Sequence, residues 1–223
     1  MRPGQPTLDE PITFPDLAGD VMKRLPAADA ALPDQEFSHH TPIWWGSTLM
    51  LTIEGAGLAV LVVTYFYVRQ NFDVWPPSGT LVPDLGASTL DVAILVVSVL
   101  PMWYVTKLGQ KHDRSKLIGG GLLLCVLFGI VAAVLRILEF KGVHTRWDTN
   151  AYGAIVWSIL AVHFAHIIAA TLETLVIAIL TLAEPVEGQR FGDIAANAAY
   201  WYFVALSWVG LYTIVFLTPR FLR

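Results

Sequence analysis

The residues able to do chemistry sit in the middle of oily stretches. Glu54 lies in Leu51-Thr52-Ile53-Glu54-Gly55-Ala56-Gly57, and Arg136 and Glu139 close another apolar run. His163, His166 and Glu173 follow at spacings of three and seven, and Trp201 and Trp208 stand seven apart near the end. In hydrocarbon an ionisable side chain costs roughly 2.5–3.5 kcal/mol or more, so each needs a partner or a task. Glu54 has flanking small residues that permit close helix approach, so it should face protein and be neutral or paired. A protonatable group beside a proton path or partner interface and a structural hydrogen-bonder are both open readings for it. Arg136 and Glu139, three apart on one helix face, read either as a local ion pair or as a phosphate clamp. A guanidinium presents a planar fork to phosphate oxygens, which favours the clamp.

The pattern His163, His166, Glu173 reads as a polar stripe on one helix face, facing another helix or a lipid headgroup. A metal or haem reading is disfavoured, because the remaining histidines (His39, His40, His112 and His144) flank the apolar runs. Trp201 and Trp208 share a side and read as packing or interfacial anchors. Cys125, the single cysteine, excludes an internal disulfide and reads as a small apolar core side chain. No nucleophile–base–orienter set, phosphate loop or thiolate site is present, so independent catalysis is not expected.

Five apolar segments must position these groups: 44–68, 88–107, 117–138, 152–182 and 196–218. Each is long enough for a helix that crosses a bilayer core. The 223 residues are 55% hydrophobic and only 14% charged, against about 25% charged in a soluble domain. The expected fold is therefore an all-α membrane protein, a bundle of five transmembrane helices. The fourth run is longer than a perpendicular span requires and should tilt or project. Residues 1–43, rich in proline and acids, read as an irregular cytoplasmic N-terminal arm ahead of the transmembrane domain 44–223. That arm lacks a basic start followed by an apolar stretch, so the first run reads as a retained anchor. Lys and Arg divide eight to five in favour of the N-terminal side. That division favours a cytoplasmic N-terminus and a periplasmic C-terminus. A net charge of −4 with no basic face argues against nucleic-acid binding.

Several stretches resemble a haem-copper oxidase subunit III. His39-His40-Thr41-Pro42 leads into Trp45-Gly46-Ser47-Thr48-Leu49 and Ile53-Glu54-Gly55. Tyr65-Phe66-Tyr67-Val68-Arg69 precedes Trp75-Pro76-Pro77. Tyr152-Gly153, His163-x-x-His166, Tyr200-Trp201-Tyr202-Phe203-Val204 and Trp208-x-x-x-Tyr212 follow in the family's order. The layout resembles the shorter, five-helix form. The resemblance implies a chain that is not catalytic by itself and carries no cofactor of its own. It would pack mainly on oxidase subunit I, with subunit II, small subunits or a respiratory supercomplex nearby, haem and copper residing in those partners. It further implies structural phospholipids, support of proton uptake and protection of the oxidase during turnover, in a bacterial inner membrane. Glu54 aligns with the family's membrane glutamate, the His pair with His163 and His166, and the third-span acid with Glu139. The implied lipid-binding set is Arg136, Glu139, His163, His166 and Trp201. Tyr202 and Ala205 depart from the pattern, where His and Asp are usual.

The electron donor is read by other subunits. Cytochrome c oxidase comes first as the more frequent assembly, with a quinol oxidase or nitric oxide reductase accessory subunit as alternatives. An independent small transporter is the reading from another class, disfavoured because no inverted repeat is visible.

Overall fold

The computed structural model describes residues 41–109, 115–183 and 188–221. The arm expected over 1–43 lies outside these residues up to position 40, as do His39, His40, His112 and the Glu184-Pro185 turn. The five expected spans appear as helices α1 (Pro42–Arg69), α2 (Gly86–Gly109), α3 (Ser115–Gly142), α4 (Ala151–Ala183) and α5 (Gly188–Tyr212). The chain then continues through a π-helical turn, Thr213–Leu217, into the short α6 (Thr218–Phe221). All five are long and apolar enough to cross a membrane, the last over Phe191–Phe221. Every span overruns its expected limits, because helices continue past the apolar run into the polar flanks. At 33 residues, α4 is roughly 50 Å long, well beyond a bilayer core of about 30 Å.

Local chemistry suits a solvent that offers no hydrogen bonds. Pro42 opens α1, where its missing N–H is no loss. The hydroxyls of Thr52, Thr64, Thr106, Thr171 and Thr181 each donate to the carbonyl four residues back, which satisfies them within their own helix. Pro101 lies inside α2. One turn earlier Ser98 donates to Leu95 O and accepts from Trp201 Nε1 at 2.9 Å, tying α2 to α5.

The helices form an up-and-down bundle in which α2 packs on α3, α3 on α4, α4 on α5 and α5 back on α2. Helix α1 stands outside this ring and leans on α4 and α5. Buried positions on α3 (Ile118, Leu122, Cys125, Gly129, Ala132, Arg136 and Glu139) recur at helical spacing, while Leu124, Leu127, Ile130 and Val134 are exposed. An exposed face made of large aliphatics is the pattern of a lipid-facing surface. Cys125 is buried in the core, as its surroundings in the sequence suggest.

Two glycines of α3 let its neighbours in. A Cβ at Gly121 would overlap the Val105 side chain of α2, and one at Gly129 would overlap the Thr171 hydroxyl of α4. Thr171 is held by its bond to Ile167 O and cannot swing away cheaply.

One end of the bundle is closed by an aromatic and polar cap. Trp75 packs edge-on against Tyr65 and Tyr152, at ring separations of 5.3 and 5.0 Å, and donates to Tyr65 Oη at 2.8 Å. Asp84 joins the α1–α2 loop to the α3–α4 loop through its backbone N–H to Gly142 O (2.9 Å) and its carboxylate to His144 (3.0 Å). Arg220 in α6 donates to Pro83 O and Phe216 O.

Gly129→Ala should destabilise the chain by about 1–3 kcal/mol, the usual range for overpacking a filled site. Thermal unfolding in detergent measures this, and an unchanged melting temperature would mean that α3 and α4 are not so tightly apposed.

Candidate functional site

The most concentrated polar chemistry lies where α2, α3, α4 and α5 meet. Arg136 of α3 is fully buried. One terminal nitrogen lies 2.9 Å from Asp91 Oδ2 of α2 and 3.1 Å from His163 Nδ1 of α4. The other lies 2.7 Å from Glu139 Oε2, one turn on in the same helix. The guanidinium carbon sits 3.4 Å from the centroid of the Trp208 ring of α5, a cation–π contact in a desolvated place. Trp208 also stacks on His163, with centroids 4.8 Å apart.

Hydrogen-bonding roles at His163 follow from its neighbours. Nε2 lies 3.0 Å from the carbonyl oxygen of Val204, which can only accept, and Nδ1 faces a guanidinium, which can only donate. The proton is therefore on Nε2 and the ring is neutral. With both nitrogens engaged, His163 has no lone pair left for a metal. Among the described residues no three His, Cys, Asp or Glu side chains converge as ligands would.

A smaller pair ties α1 to the ring. His166 Nε2 lies 3.3 Å from Glu54 Oε2, and His166 Nδ1 lies 2.6 Å from Val162 O. The carbonyl requires a proton on Nδ1. Nε2 is thereby left to face the Glu54 carboxyl, giving this acid of an apolar run a polar neighbour. Tyr200 of α5 reaches the same carboxyl.

The stripe His163–His166–Glu173 divides. A spacing of three turns a helix about 60° short of a full circle, enough to send His163 into the core and His166 toward α1. Seven residues on from His166, Glu173 keeps that second direction and lines a groove with Ile43, Gly46 and Met50 of α1. Arg136 is enclosed by protein, and both of its terminal nitrogens lie within 3 Å of protein carboxylates, so its fork is not presented outward to a phosphate. Its pairing with Glu139 is local to one helix, as weighed from the sequence, and is buried in the core. Trp201 is buried against Ser98. Glu54 is about a quarter exposed (27%); Gly55 beside it meets Phe203, whereas Gly57 faces open space.

Asp91 was missed in the sequence. Its signal was available, since it is an acid four residues into the expected 88–107 span, but its partner lies 45 positions away. Asn197 was missed too; its Oδ1 accepts from Thr174 at 3.0 Å inside the α4–α5 contact.

These features define a class: a helical membrane protein of five spans, four of them locked by an ion cluster in their shared core. Within that class the chain is similar to cytochrome c oxidase subunit 3. It is 28% identical over 144 residues to that protein of Pongo pygmaeus, which covers 64% of this chain and 54% of the relative. It is 25% identical over 177 residues to that of Artemia franciscana (77% and 67%) and 27% identical over 182 residues to that of Synechocystis (78% and 74%). The matched stretch thus spans about half the length of the first of these relatives. No protein-family model matches the chain.

Replacing Arg136 by Met should cost about 3–5 kcal/mol, since two buried acids lose their cation. The triple substitution Asp91→Leu, Arg136→Met, Glu139→Leu should recover most of that loss. Melting temperatures of the purified variants measure both, and an Arg136→Met chain as stable as its parent would show that the cluster contributes nothing.

Proposed function

We propose that the chain is a non-redox accessory subunit of a haem-copper terminal oxidase, a cytochrome c oxidase in the first instance. The observation that carries this reading is the similarity to cytochrome c oxidase subunit 3 over about three-quarters of the chain. The packing fits it. The core polar side chains Asp91, Arg136, Glu139 and His163 bind one another across helices. A chain built this way supplies surface and support to a neighbour that carries out the chemistry.

In this reading the subunit packs on the catalytic subunit I in a bacterial inner membrane, with its N-terminus cytoplasmic and the capped end of the bundle periplasmic. Glu54 and His166 supply a protonatable pair at the contact of α1 with the ring, within reach of a neighbouring subunit or a proton path. Phospholipid contact belongs on this partly open side, at His166 and Glu54. At Arg136, Glu139, His163 and Trp201 a headgroup would have to displace partners already in place.

Affinity purification from native membranes tests the assignment. A haem-bearing large subunit and retained phospholipid should co-elute with the chain. Isolation as a lone oligomer, or solute movement across vesicles holding this chain alone, would favour a transporter. Co-elution with a nitric oxide reductase or quinol oxidase would redirect the assignment within the same class.

In the purified oxidase, Glu54→Gln should leave assembly intact and shorten the catalytic lifetime during turnover. Matching activity decay in mutant and parent would leave Glu54 a structural role alone.

A further inference from the structure

Glu139, a member of the core cluster, lines a pocket. That pocket, of about 490 Å³, lies at the capped end, where α2 begins and α3 ends, and is lined by Asp84, Gly86, Leu138, Glu139, Lys141 and Gly142. Glu139 itself is only 2% exposed, and its Oε1 has no hydrogen-bond partner. Asp91 behind it is fully buried, and its Oδ1 is likewise unmatched. The two carboxyls share one guanidinium, Asp91 Oδ2 at 2.9 Å from one terminal nitrogen of Arg136 and Glu139 Oε2 at 2.7 Å from the other.

The charges in this place do not balance. Helix α3 offers the Arg136 guanidinium and the Glu139 carboxyl, and α2 offers Asp91. Helix α4 offers His163, which its two hydrogen bonds hold neutral, and α5 offers only the Trp208 ring. Asp84, Lys141 and His144 belong to the exposed mouth. Two acids therefore face one cation in buried surroundings, and neighbouring carboxylates there cannot both ionise. An unmatched acceptor on each acid is where a shared proton would be held.

We propose that Asp91 and Glu139 form a binding site for one exchangeable proton, shared between the two carboxyls and reached from the capped face through the Asp84–Lys141 pocket. The proton arrives from water on Glu139, a residue that lines the pocket, and passes to Asp91 by a carboxyl–carboxylate hydrogen bond. No bond other than O–H changes. The site is separate from the Glu54–His166 pair, which lies across α4, and it does not depend on the oxidase assignment.

Infrared spectroscopy of the full chain in lipid nanodiscs tests this, in a Glu54→Gln, Glu173→Gln, Asp193→Asn background so that the other carboxyls within the spans are silent. A protonated-carboxyl stretch is expected that shifts in heavy water. Asp91→Asn and Glu139→Gln should each abolish it, because either change leaves one acid for one guanidinium. Loss in only one variant would assign the proton to a single acid and overturn the sharing, and survival in both would remove the site. Isotopic labelling of aspartate carboxyls in the same background, with Asp91 and Glu139 intact, should move part of the band. An unmoved band would exclude Asp91 even if the variants fold poorly. Gly86→Phe, at a position with open space beside it, should fill the pocket and slow deuteration while keeping the band. Unchanged deuteration would overturn the pocket as the route.

Discussion

A guanidinium cannot be left alone in a bundle surrounded by hydrocarbon, and much of this structure follows from where Arg136 finds its company. Within its own helix it has only Glu139. The remaining contacts must be brought by other spans: a carboxylate from α2, a ring nitrogen from α4 and an indole face from α5. Those demands fix the rotation of four helices about their axes. Turning any one of them by the width of a side chain would leave a charge or a lone pair facing apolar atoms. Buried ion pairs contribute little to net stability compared with apolar packing, but breaking one is heavily penalised. The cluster therefore acts mainly by excluding misrotated arrangements.

Around it the usual balance of a soluble protein is reversed. Large aliphatics cover the outside as well as the core, so the hydrophobic effect gets the spans into the membrane but does little to choose how they pair. Pairing falls to close approach and to polar contacts. Gly121 and Gly129 admit Val105 and Thr171, Trp201 reaches Ser98, and Thr174 meets Asn197. At the capped end, where loops return to water, Trp75, Tyr65 and Tyr152 supply a stiff aromatic plug. Asp84 and Arg220 fasten the connecting segments to it.

The sequence announced the five spans clearly, because a run of about twenty apolar residues has few other meanings. It also announced the Arg136–Glu139 neighbourhood, which is local to one helix. Asp91 stayed hidden because its relation to Arg136 is a fact of tertiary packing, although an acid in an apolar run should have prompted the search. The His163–His166 pair was read as one face, yet a rotation of about 60° is enough to give the two rings different tasks. The π-helical turn at Thr213–Leu217 left no mark in composition. Hydropathy reports depth well and says little about azimuth, and the site is a matter of azimuth.

The position of α1 has a consequence for how the chain is made. Chains leave the ribosome from the N-terminus, so α1 enters the lipid before either helix it will rest on has been translated. Its main packing partners are α4 and α5, and Glu54 must wait for more than a hundred further residues before His166 exists. Through that interval the carboxyl has lipid or the insertion machinery for company, which favours carrying it across as the uncharged acid. Of the described helices, the first to be made thus waits longest before any helix it rests on exists.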